Sequence, residues 1–137
     1  MRARSRIVAR MIPYGVYRLI HFFGIFLLLT ALGGAAMRAM MGIGAFERAG
    51  DADGRLRKLL GATHGFALLF ILVGGFGMLA RLDTGFPGWV WGKLAIWLVL
   101  GGLLALTNRL AGRARMLWFA IPVLAFAAAW LAYTKPF

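Results

Sequence analysis

Four apolar runs, each about long enough to cross a bilayer and each followed by a charged gap or the chain end, leave this chain few ways to fold. They cover about 16–37, 60–80, 90–107 and 116–133. A hydrocarbon core about 30 Å thick takes around 20 residues of helix, and a helix satisfies its own backbone polar groups there. The gaps "FERAGDADGRLRK", "RLDTGFPG" and "NRLAGRAR" hold most of the remaining charge. Short gaps set successive helices side by side and pointing in opposite directions. The sequence therefore predicts an all-α membrane protein, a single integral domain over 1–137 with four antiparallel transmembrane helices in an up-down bundle. Pro122 should kink the fourth helix, which neighbours in a bundle tolerate.

Composition narrows the function classes. Hydrophobic residues make up 62% of the chain, well above the roughly 45–50% of a soluble domain, and the mean hydropathy is +0.81. With no cysteine there is no disulfide, thiolate metal site or iron–sulfur cluster. A net charge of +12 would suggest nucleic acid on a soluble protein. Here the basic residues lie between apolar runs, where they face anionic lipid headgroups instead. The opening "MRARSRIVAR", the apolar stretch after it and "GGAAM" share features with a signal peptide. That stretch is long for the role, and the remainder would still cross a membrane several times, so it reads as the first span.

Orientation is evenly balanced. One side of the bundle holds Arg2, Arg4, Arg6, Arg10, Arg18, Arg81, Lys93 and Lys135. The other holds Arg38, Arg48, Arg55, Arg57, Lys58, Arg109, Arg113 and Arg115. Eight face eight, so the positive-inside rule ties. A start at Met11 rather than Met1 reduces the first side to four and makes the second cytoplasmic. The orientation expected is with both termini outside.

Small residues and two histidines carry the packing signal. Gly24, Ala31 and Ala35 form a small-residue stripe on the first span, and Gly61 and Gly65 form a GxxxG pair on the second. Such residues let helix backbones approach closely, within one chain or between subunits. The two spans also echo one another, "HFFGIFLLLTALGG" against "HGFALLFILVGG", as Leu/Gly-rich spans often do. Helical spacing turns His21 and His64 towards protein, where each can help to pack a helix end. Their axial separation, on the order of 15 Å by helical rise, prevents them from gripping one haem.

His21 shares its mouth of the bundle with Lys93, Arg18 and Arg81, beside Trp89 and Trp91. An imidazole for axial ligation, cations for propionates and aromatic walls would suit a tetrapyrrole, haem b or porphyrin. The leading expectation is that no cofactor binds: Lys93 snorkels and the tryptophans anchor the interface. Glu47, Asp51, Asp53 and Asp83 all fall in gaps, which argues against a carboxylate proton relay or sodium site. "DADG" lacks the later ligands of a calcium loop.

Taken together, the first-span histidine, "THGFALLFILVGG", "GWVWGKLAIWLVLGGLLAL" and the terminal "AYTKPF" resemble the SirB-like family of small bacterial membrane proteins. The likeness runs over nearly the whole chain through short motifs. It implies a multi-pass protein of the bacterial inner membrane, regulatory or accessory rather than enzymatic. More distantly, the chain is similar to the HemJ type of protoporphyrinogen oxidase, in which a first-span histidine and a third-span lysine are linked to haem. His21 and Lys93 stand in those places. The first span lacks the Trp and the Tyr-x-Pro-Arg ending of that type, and no histidine follows Lys93 in the third. The enzymatic reading therefore comes second.

Overall fold

The computed structural model describes residues 12–42, 50–82 and 85–136. Its elements are α1 (Tyr14–Met40), α2 (Gly50–Leu82), α3 (Gly88–Arg109), a 3-10 turn (Ala111–Arg113) and α4 (Ala114–Thr134), with no strand among the described residues. Met1, Met11, Arg2, Arg4, Arg6, Arg10, Glu47, Arg48 and Asp83 lie outside those residues, as does the side chain of Asp51. All four helices are long and apolar enough to cross a membrane.

Local chemistry sets their ends. Pro13 and Pro87 precede α1 and α3 in extended conformation, with φ of −64° and −70°. Both values match the angle that the pyrrolidine ring imposes. α4 stops at Lys135, which adopts the left-handed conformation (φ 44°) and donates its N–H to the Leu131 carbonyl. Pro136 follows and cannot extend the helix. α4 runs through Pro122, whose missing N–H leaves the Trp118 carbonyl without its usual donor.

The largest departure from the expected spans is in α2. It begins at Gly50, about ten residues before the apolar run, so half of the gap expected there is helical. Its first turn carries Asp53, an acid that favours the positive end of the helix dipole. Leu56, Arg57 and Lys58 are good helix formers.

α1 is the hub. About a third (33%) of its most apolar window is buried, against 11% in α2 and in α4, and it touches each of the other three helices. The core joins Leu28, Leu32 and Ala36 of α1 to Ala67 of α2, Leu100 and Leu103 of α3, and Leu117 and Ile121 of α4. Outside that core the surface is apolar: Phe126 is 70% exposed, and Leu19, Phe26, Phe66, Leu98 and Met116 also face outward.

The closest seam runs between α1 and α2. A methyl group at Gly74 would lie 2.6 Å from the His21 nitrogen and 2.7 Å from the Tyr17 carbonyl oxygen. One at Gly24 would lie 2.8 Å from the Ile71 nitrogen. Tyr17 lays its ring over Gly77, while Gly34 meets Leu60 and Arg38 meets Asp53. Partners thus fall along α2 as they rise along α1. Gly61 and Gly65 differ from Gly24: a methyl at either meets nothing within 4 Å. The GxxxG pair makes no close approach inside the chain.

These distances predict opposite outcomes for one type of substitution. Gly74→Ala should destabilise the protein by about 1–3 kcal/mol, because the methyl meets backbone that cannot yield. Gly61→Ala should be neutral or stabilising by up to about 1 kcal/mol through helix propensity. Equilibrium unfolding in mixed micelles checks both; equal effects would contradict the seam.

Candidate functional site

Polar side chains gather at the two ends of the bundle and at one level between them. At the end formed by the start of α1 and the close of α2 stand the four residues singled out in the sequence. His21, half-buried on α1, donates its Nδ1 hydrogen to the Ile71 carbonyl of α2 at 2.8 Å, a carbonyl being able only to accept. Gly75 leaves room beside the ring, its absent methyl lying 3.5 Å from His21 Cε1. Lys93 stands near the start of α3. Its ammonium lies 5.8 Å from the centre of the Trp89 ring, and that of Lys135 lies 5.9 Å from the same centre. Arg81 closes α2 and donates to the Ile12 carbonyl, while Arg18 extends from α1 with its side chain exposed.

Midway, His64 is buried (6% exposed) and donates from Nε2 to the Leu100 carbonyl of α3 at 3.2 Å. In the other direction, Trp97 of α3 donates its indole N–H to the Leu68 carbonyl of α2 at 3.2 Å. The two bonds form a reciprocal clasp between helices that otherwise touch little. His64 stands ten residues along α2 from Gly74, the residue that meets His21. The offset is roughly 15 Å by helical rise. His21 bonds α1 to α2 and His64 bonds α2 to α3, so the two serve different helix pairs.

The opposite end holds an arrangement that sequence reading missed. Arg38 forms an ion pair with Asp53 at 2.9 Å and donates to the Asn108 side-chain oxygen at 2.6 Å, tying α1, α2 and α3 together. The side chains of the pair are only 10% and 12% exposed. A cleft of about 410 Å³ opens beside them, lined by Arg38, Gly54, Arg57, Lys58 and Asn108 and, further along the helices, by Ala35, Leu60 and Leu104. In the sequence, Asp53 sits in a stretch rich in turn residues, and Asn108 looks like part of a basic loop. The available signal was an acid in a chain with so few of them, placed where α2 could extend to meet Arg38. Among the described residues, no group of three or more His, Asp or Glu is arranged to hold a metal.

No known family model, curated protein or solved structure compared with the chain matches it.

The ion pair yields a prediction. Asp53→Asn should cost about 1.5–3 kcal/mol, the worth of a shielded hydrogen bond to a charged group. Asp53→Glu should recover part of that loss. Thermal unfolding of the two variants in detergent would show it, and a silent Asp53→Asn would count against the three-helix tie.

Proposed function

We propose that this chain is a small multi-pass protein of the bacterial inner membrane, built as an antiparallel up-down bundle and acting without catalysis. It serves as an accessory subunit of a larger membrane complex or as a regulatory protein of the SirB-like kind. One observation carries the membrane part: the apolar side chains face outward along all four helices, as in Leu19, Phe66, Leu98 and Phe126. A water-soluble surface does not sustain apolar exposure on that scale.

The accessory role is supported by how the polar groups inside the spans are used. His64, Trp97 and His21 each bond a neighbouring helix through a backbone carbonyl, and Thr107 bonds the Leu104 carbonyl of its own helix. The first three are packing bonds, of the type worth about 0.6–2 kcal/mol between helices in lipid. Gly61 and Gly65, with open space above them, suit contact with another subunit or another copy. Gly24 is spent on α2. We assign both termini to the outer side. The basic loops after α1 and α3 then meet anionic headgroups on the inner side.

A second reading keeps His21 as a tetrapyrrole ligand, for haem b or porphyrin, in the manner of a HemJ-like oxidase. It rests on the Ile71 carbonyl, which fixes the proton on Nδ1 and leaves the Nε2 lone pair for a metal. The seam at Gly74 is too tight for a macrocycle, so one would have to approach His21 from a side other than α2. Lys93, Arg18 and Arg81 would then neutralise its carboxylates.

For the first reading, the tagged chain should stay in the membrane through an alkaline wash and migrate with a larger complex on a native gel after mild solubilisation. Migration as a free monomer would overturn the accessory role. For the second, a Soret band in protein from a haem-replete host should vanish in His21→Ala, and a featureless spectrum would dispose of it.

A further inference from the structure

The cleft beside Arg38 has a chemical gradient that the membrane reading leaves unused. Each of three helices contributes a polar residue at its outer part and an apolar residue about one turn further in. On α1 these are Arg38 and Ala35; on α2, the cations Arg57 and Lys58 and then Leu60; on α3, Asn108 and Leu104. Arg38 is already held by Asp53 and Asn108, so it acts as a fixed wall. Arg57 and Lys58 are exposed, and no carboxylate pairs with them among the described residues. About 410 Å³ is room for a headgroup and its first carbons, at the smaller end of ordinary ligand pockets.

From this juxtaposition we propose that the cleft binds the phosphate of an anionic phospholipid, with its glycerol against Asn108 and the start of its acyl chains against Leu60 and Leu104. Arg57 and Lys58 grip the phosphate oxygens through charge-assisted hydrogen bonds. The apolar floor distinguishes this from diffuse attraction to a charged surface, since only an amphiphile satisfies both parts of the cleft. Basic pockets between spanning helices are a recurring place for such headgroups. The inference rests on the membrane reading above and is independent of any protein partner.

The test uses the full chain in dodecyl maltoside and follows its thermal unfolding during titration with short-chain phosphatidylglycerol, phosphatidylcholine of equal chain length, or glycerol phosphate. Phosphatidylglycerol should raise the melting temperature more than the other two. The double variant Arg57→Gln, Lys58→Gln should need about tenfold or more lipid for half the effect, given two lost charge-assisted bonds. The control Arg113→Gln, Arg115→Gln, exposed at the same end of the bundle, should behave as the parent. Equal losses in both variants would overturn the site in favour of diffuse surface charge, as would an equal response to phosphatidylcholine. A matching response to glycerol phosphate would overturn the lipid and leave a soluble phosphate ester as the ligand. Flotation with phosphatidylcholine vesicles separates the two readings. A chain that fails to float removes the membrane reading and this site together. A chain that floats while its melting temperature shows no preference for phosphatidylglycerol removes only the site.

Discussion

Everything else in the bundle is arranged around the backbone contact between α1 and α2. At Gly24 and Gly74 the two helix backbones come so close that even one methyl group would force them apart. Such proximity matters more in lipid than in water. Apolar side chains gain little by leaving one oily surrounding for another, so close van der Waals packing and interhelical polar bonds must hold the helices. The seam also fixes the register of His21 against Ile71, because the ring reaches that carbonyl only when α1 lies directly on Gly74. α1 then offers its remaining face, Leu28, Leu32 and Ala36, to α3 and α4.

The outer helices depend on different bonds. α3 meets α2 over a small area, and what joins them is the reciprocal clasp of His64 and Trp97. A mid-helix carbonyl keeps a second lone pair after accepting its own helix N–H, so the clasp breaks no bond already made. At the far end the tie through Arg38, Asp53 and Asn108 sets the ends of three helices at one level. The polar groups are few, and each of these joins two helices or three.

Much of this was legible in the sequence, and what was not has a definite cause. Length and hydropathy reveal helices from residues such as those of 116–133, because each backbone must bond internally wherever it runs. The orientation of His21 and His64 towards protein follows from helical period. Which glycine touches which helix does not: Gly61 and Gly65 have the more familiar spacing, yet Gly24 and Gly74 make the seam. Spacing states that a face is smooth and leaves open which neighbour lies on it. Asp53 falls in an expected gap, yet stands on a helix, for a related reason. "DADG" has the local composition of a turn, and only Arg38, distant in sequence, gives its helix a reason to continue. Of the residues named for the mouth at His21, the structure sets Lys93 over the Trp89 ring and commits Arg81 to the Ile12 carbonyl.

The unequal division of contacts gives the molecule a history as well as a shape. α1 and α2 leave the ribosome before α3. At about 5–20 residues per second, the 22 residues of α3 take on the order of seconds to follow. Helices form in about a microsecond, so the α1–α2 hairpin exists by itself for a long interval on the molecular clock. Throughout that interval Leu100 has not been made, and the imidazole of His64 waits without the carbonyl that will accept its proton. The clasp is therefore the last bond to close on α2, and until it closes the hairpin carries a polar ring on the face that α3 will cover.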